Sequence, residues 1–321
     1  MTVLTLEEVH CCVCGGDSGR MALRGRDVEF LTCDNEFAFL ACRDCGHLYL
    51  SPRPKSQDLS VIYRNYLTEN EASAYYPSSF VARVKDRFDA ARLRCVLARM
   101  RHGSRVLDIG AGAGRLLGLL RRASGQQLEL YANDLWFDAK VRADFDAQAV
   151  TMLEGPIESV ATDVRFDAIT AVHVIEHVSD PRGMLRWIAA HLTDEGVAYL
   201  ETPDTAAPAR RIFGHHWGMT HFPRHFNLFS RQHLAQLARE AGLEVVRHGA
   251  TTTAPAWNMS MRNLLGIDAL SKRRGPFEIF NYSNVGTLGM FTLVDLVLMG
   301  LGFPTSTQQL VLQRQSAGTH E

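Results

Sequence analysis

Surplus positive charge is missing from this sequence: 34 Lys and Arg stand against 35 Asp and Glu, a formal net charge of -1. A protein that lives on a phosphate backbone usually carries a basic excess, so nucleic acid is not expected as a partner. No secretory leader is expected either. The opening "MTVLTLEEVHCC" holds acidic residues and lacks a basic head followed by an apolar run. A cytoplasmic location with reduced thiols is therefore expected, and seven cysteines read better as metal ligands or buried thiols than as disulfides. A clean bilayer span is the third absence. The nearest approach, "VGTLGMFTLVDLVLMGLGF" at 285–303, carries Asp295 near its middle and four glycines. A mid-bilayer carboxylate is costly, so no membrane span is expected and the run reads as a buried or lid helix. Apolar residues at 46% and charged residues at 21% are those of an ordinary globular chain.

What is present begins with paired cysteines. Cys11-x-x-Cys14 and Cys42-x-x-Cys45-Gly-His47 form two knuckles, each aiming two sulfurs at one point. Four thiolates suit tetrahedral Zn2+, and with every position filled by sulfur the metal would be structural. The gap of 27 residues between the knuckles is longer than the usual ribbon spacing. Its "VEFLTCDNEFAFLACRDC" alternates as a small antiparallel sheet does. Cys12 and Cys33 read as bystanders, though Cys12 could replace Cys11.

The next signal is "RVLDIGAGAGRLLGLL". A short buried strand, Val106 to Ile109, enters a glycine-rich turn at Gly110, Gly112 and Gly114, and a helix with Leu116, Leu117, Leu119 and Leu120 follows. This is the first strand–turn–helix unit of a doubly wound α/β domain. Dinucleotide enzymes share the glycines, but Arg115 stands where their third glycine belongs. Asp108, just before the turn, would repel a pyrophosphate and suits an ammonium group. Asp134 ends the next strand and is placed to accept from ribose hydroxyls.

An ammonium and a ribose diol with no phosphate between them describe S-adenosylmethionine. "VLDIGAGAG" resembles the first motif of class I methyltransferases, and "AND" resembles their acidic second-strand end. "FDAITAVHVIEHVSDP" and "GVAYLETP" resemble their fourth and fifth strands. The resemblance spans about residues 103–250. With the N-terminal zinc-ribbon module and "HFPRHFNLFS", the layout is similar to bacterial methyltransferases acting on sugars and other small metabolites. It implies a seven-stranded Rossmann-like sheet and S-adenosylmethionine as cofactor, with methyl transfer to oxygen or carbon of a small-molecule acceptor. By position, Asp108 and the three glycines would hold the methionine end, Asp134 the ribose, Leu135 the adenine face and the Ile157 backbone the adenine edge. His173 would lie beside the cofactor. Pro156 stands where many relatives place a carboxylate. An adaptor that binds without catalysis, and an RNA or protein acceptor, are the alternatives.

Strands are expected at 105–109, 128–133, 149–153, 166–172, 196–202, 244–250 and 308–314, the last as the reversed edge of the sheet. A helix over 79–101 would turn Phe80, Val81, Val84, Phe88 and Ala91 to one face. The division expected is a zinc-ribbon module at 1–60, linker, lid and helix at 61–102, and the methyltransferase domain at 103–321. About fifty residues at 254–305 would interrupt the final hairpin, and insertions of that length usually carry function or an interface. A hydrophobic substrate wall or a homodimer surface is expected there. Tyr66, Tyr75 and Tyr76 in the lid would meet the acceptor or the sulfonium.

Four of the thirteen histidines fall in "HHWGMTHFPRHF", 215–226. His221 and His225 have the spacing of a helical metal pair, but Pro223 lies between them and opposes a regular helix. A general base and a loop packed by Trp217 remain as readings. The resemblance places a histidine of this kind near the acceptor, with His225 ahead of His221; Trp217 is a candidate substrate or lid residue. "HVIEHV", 173–178, is similar to a Glu-x-x-Glu-His run of the ubiquinone-pathway O-methyltransferases, with His173 replacing the first carboxylate. His177 is a further candidate catalytic residue, or with Glu176 a helix cap.

Overall fold

A computed structural model of the chain describes residues 2–63, 79–266, 279–280 and 284–315. They fall into two compact units. The first comprises Met1–Tyr75, Pro203–His233 and Ala250–Gln308; the second comprises Tyr76–Thr202, Leu234–Gly249 and Gln309–Glu321. The N-terminal module is thus joined by two later segments, one of them the histidine-rich loop and the other the insertion. Tyr66, Tyr75 and Tyr76 lie outside the described residues.

In the first unit, β1 (Leu6–Glu7) pairs with β5 (Arg53–Pro54). β2 (Gly19–Arg26), β3 (Glu36–Cys42) and β4 (Leu48–Leu50) form an antiparallel sheet between and after the cysteine knuckles. β11 (Asn227–Leu228) adds to its edge, setting Asn227 opposite Tyr49. Phe37, Phe39, Leu48 and Leu50 from this sheet share a core with Trp217, Phe222, Phe226 and Trp257. Long-range aromatic packing, not local propensity, is what fixes the histidine loop here.

Among the described residues, seven strands form one sheet that lies mostly in the second unit: β6 (Arg105–Ile109), β7 (Glu129–Asp134), β8 (Val150–Glu154), β9 (Phe166–Val172), β10 (Leu192–Pro203), β12 (Leu243–Thr251) and β13 (Thr307–Arg314). Their order is β12-β13-β10-β9-β6-β7-β8, with β6 to β10 parallel. The expected strands therefore form nearly where their apolar runs predict, with one correction. β13 is not the edge; it lies between β10 and β12. Gln315 N–H donates to Gly242 O at one end of the β12–β13 pair, and Thr305 donates to Thr251 O at the other, so the two run antiparallel. The residues of β13 are buried from Thr307 to Leu312, as an interior strand requires.

Two further expectations are corrected. The helix expected over 79–101 runs Ser79–Arg92, then breaks at Leu93 before a short turn at Arg94–Leu97. Phe88 is exposed while its neighbour Asp89 is buried. Asp89 takes Lys85 and Arg92 of its own helix and Arg115 of the next, and these three cations hold its carboxyl below the usual range against the opposing effect of burial. The apolar run forms a helix at Val285–Gly300, but it is not a buried one: Asp295 is its buried residue, accepting from Trp257 Nε1 at 2.8 Å and Thr253 N at 2.6 Å. Among the described residues no helix is long and apolar enough to cross a membrane.

The glycine turn shows why the backbone here tolerates little else. Gly110, Gly112 and Gly114 all have φ between 52° and 75°, a left-handed region costing other residues about 1–2 kcal/mol. A Cβ on Gly114 would also overlap the buried Phe145 ring. Gly114→Ala is expected to lower stability by about 2 kcal/mol or more. Thermal denaturation checks this, and an unchanged midpoint would contradict it.

Candidate active site

In the second unit the residues expected to hold the cofactor gather at the C-terminal ends of β6, β7 and β9. Register explains part of this: Asp108 on β6 lies opposite Thr170 on β9 and Ala132 on β7. Thr170 donates to the Asp108 carboxylate at 2.7 Å. Burial and the nearby Asp134 push the Asp108 carboxyl up to about 7, with the Thr170 bond acting in the other direction. Asp134 accepts from Gly112 N at 2.9 Å and from Leu135 N at 2.8 Å. One carboxylate thereby ties the glycine turn to the end of the second strand. Each of its oxygens has a second lone pair for an incoming hydroxyl. Burial raises its pKa too.

Leu135 is half-buried, and Ile157 is buried in a short 3-10 turn after β8. His173 follows β9 with φ 55°, its N–H bonded to Glu201 O at 2.9 Å. Its Nδ1 lies 3.0 Å from Glu176, which also accepts from Thr202 at 2.9 Å. Burial opposes charge on both partners, but their bond and mutual attraction win: His173 is raised and Glu176 lowered. Glu176 is therefore a buried partner of His173 and Thr202, more than the helix cap open to it in the sequence. His177 is half-buried on the same turn, its N–H bonded to Val174 O at 2.8 Å.

The first unit holds the other candidates. His221 is buried, φ 41°, with Nδ1 on the Glu29 carboxylate. His225 is buried with Nδ1 2.8 Å from Met219 O. A carbonyl only accepts, so His225 carries its hydrogen on Nδ1 and, when neutral, its ring lone pair on Nε2. Arg224 between them is fully buried and forks onto Asp27 at 3.1 and 3.2 Å, over the Phe30 ring. Burial alone would raise Asp27; the Arg224 charge overrides it and holds the carboxyl low. Trp217, expected beside the substrate, is fully buried in the aromatic core with Nε1 donating to Ser306. Asp27 and Glu29 were not legible as partners of this loop, since almost two hundred residues separate each pair. A pocket of about 510 Å³ lies beside it, lined by Arg26, Glu29, His215, His216, Phe222 and Asn263 among others.

The same unit brings the four knuckle cysteines together. Cys11 Sγ is 3.6 Å from Cys45 Sγ, Cys14 Sγ is 3.5 Å from Cys42 Sγ, and all four lie within 4.8 Å of one another. Sulfurs on a tetrahedron with Zn–S bonds of about 2.3 Å would be about 3.8 Å apart, so the set fits one zinc ion. Cys12 and Cys33 are outside it. Behind it, His47 is buried, 3.1 Å from Asn227 Oδ1, and burial lowers it to about 4.

The strand order, the glycine turn and the two strand-end acids define the fold and cofactor side of a class I methyltransferase. Comparison with known proteins agrees. The family described as "Methyltransferase domain" matches residues 80–248. The ubiquinone biosynthesis O-methyltransferase of Xanthomonas axonopodis pv. citri is 31% identical over 169 residues, 48% of this chain and 69% of that protein. For its counterpart in Xanthomonas campestris pv. campestris, 32% identity over 122 residues covers 35% of this chain and only 48% of the relative. Two solved structures share the fold. One is from the complex of the Haloferax volcanii Trm112 methyltransferase activator with the putative methyltransferase (TM-score 0.51, 18% identity, covering 80% of this chain and 98% of that one). The other is the cyclase SpnF (TM-score 0.51, 17% identity, 83% and 98%). The chain belongs to the methyltransferase-domain family, as a class I S-adenosylmethionine-dependent methyltransferase.

Glu176→Gln tests the buried pair. A raised histidine stabilises below its unfolded value of 6.5 and loses that contribution as pH rises through its folded value; a lowered carboxylate stabilises above 4.5. The variant is expected to lose about 1.5–3 kcal/mol between those two values, with the loss shrinking above pH 6.5. Denaturant titrations at several pH values check this, and a pH-independent difference would contradict it.

Proposed function

We propose that this protein methylates an oxygen or carbon of a small-molecule acceptor, with the nucleoside held by Asp134 and the methionine end held at Asp108, Gly110, Gly112 and Gly114. The observation carrying this reading is the Asp134 carboxylate, spent on one backbone N–H per oxygen and retaining a lone pair on each for the ribose hydroxyls. Leu135 would pack on the adenine and the Ile157 backbone would meet its edge. His173, held by Glu176, would line the same strand end. Bound S-adenosylmethionine supplies an electrophilic methyl group on a sulfonium. The chain's task is then mostly positioning, which can contribute about 7–11 kcal/mol.

The acceptor must still lose a proton. His225 is the first candidate base, because the Met219 carbonyl sets the tautomer with the ring lone pair on Nε2. His221, oriented by the Glu29 carboxylate, is the second, and His177 the third. The relatives' names, which describe O-methylation, support a small hydroxyl-bearing acceptor. The four-cysteine cluster would hold a structural zinc, whose binding supplies folding energy to a module too small to be stable alone.

Calorimetry with S-adenosylmethionine tests the reading; no binding at submillimolar concentration would overturn it. A cofactor ammonium meeting Asp108 must displace its proton below pH 7. Affinity is therefore expected to fall by about tenfold per pH unit on the acid side of about 7. Asp108→Asn should bind roughly ten- to a hundredfold more weakly, with that pH dependence gone.

A further inference from the structure

The helix Val285–Gly300 is apolar on two sides, and among the described residues only one of them is covered. Phe291, Val294 and Leu298 pack against the core of the first unit, and Asp295 is anchored to Trp257 and Thr253. The other side is exposed: Val285, Gly286, Gly289, Met290, Leu293, Leu296, Val297 and Gly300, followed by Leu301 and Phe303. At 100° per residue these helical positions fill one continuous arc of roughly 160°. No charged or hydrogen-bonding side chain interrupts it. A helix that is apolar all round is normally buried on every side. Leu293 and Leu301 here are 62% and 68% exposed. The seven large apolar side chains of the patch expose on the order of 700 Å², above the roughly 300–600 Å² usual for the largest patch on a monomer and close to the ~800 Å² each partner buries in a stable dimer.

The spacing within the arc says what kind of surface it meets. Gly286, Gly289, Leu293, Leu296 and Gly300 follow one another by three, four, three and four residues, the period of a helix–helix seam. Gly289, Leu293, Leu296 and Gly300 also read the same in both directions. About a point midway between Leu293 and Leu296, each glycine maps onto the other glycine and each leucine onto the other leucine. In an isologous contact across a two-fold axis residue i meets j and j meets i, and this arrangement sets glycine against glycine and leucine against leucine. Among the described residues nothing requires these two glycines: neither has a positive φ, and apart from the helix's own backbone a Cβ on Gly289 or Gly300 would meet no atom within 4 Å. Glycine is a poor helix former, so two of them facing open space are explained by the close approach of another backbone.

We propose that this face pairs with the same face of a second copy of the chain. The two helices run antiparallel, with Gly289 against the partner's Gly300 and Leu293 against the partner's Leu296. The face carries no basic residue to favour an anionic membrane surface, which leaves a copy of itself as the better match. Sedimentation equilibrium of the full chain at micromolar concentration, without lipid or detergent, is expected to give a dimer. Leu293→Glu should weaken it by a hundredfold or more while leaving S-adenosylmethionine affinity unchanged. Gly289→Leu separates interface from folding: in one chain it fills open space and favours the helix, so thermal stability at monomeric concentration should hold or rise while dimerisation weakens. A monomeric wild-type protein, a dimer indifferent to both substitutions, or self-association only on lipid vesicles would each overturn the proposal. None of these outcomes bears on cofactor binding, so failure here leaves the methyl-transfer reading standing.

Discussion

The cofactor side of this protein depends on one hydrogen bond, from Gly112 N–H to the carboxylate of Asp134. It joins the turn after β6 to the end of β7 and sets the spacing between the two places where a charged nucleoside would be gripped. The turn reaches that bond only because its glycines adopt left-handed backbone conformations. The sheet beneath is packed, with Val106, Leu130 and Ala168 in its core. A turn held this way is preorganised, and preorganisation is where a methyl transfer gains most, because the leaving thioether needs little chemical help.

The histidine-rich loop is held by a different kind of force. Asp27 and Glu29, from the loop after β2, each take a side chain from the segment 221–224, and the aromatic core closes around them. Such buried pairs cost desolvation and repay it only with good geometry. The two-pronged contact of Arg224 with Asp27 supplies that geometry. The zinc-type cysteine cluster lies in the same unit, and the N-terminal module is the support on which the loop is built.

Much of the second unit was legible from the sequence because its determinants are local. Short apolar runs with glycine or acidic ends predict strands and turns, and β6 to β10 form where those runs lie. The position of β13 was not legible, since strand order inside a sheet is not written in the strand itself. Phe88 and Asp89 exchanged places for a similar reason: three cations from two helices make burial of Asp89 favourable, and periodicity alone does not show them. The knuckle cysteines could be paired by spacing, whereas the partners of His221 and Arg224 could not. The apolar run at 285–303 reads as a buried or lid helix; among the described residues one side of it packs on the core and the other is exposed. Trp217 reads as a substrate residue beside so many histidines, yet its indole belongs to the core.

The most direct test of the account is a crystal structure of the complex with S-adenosylhomocysteine. The ribose hydroxyls should lie within hydrogen-bond distance of Asp134, with the amino-acid end at the glycine turn on the Asp108 side. A nucleoside bound elsewhere, or a turn left empty at saturating ligand, would contradict it.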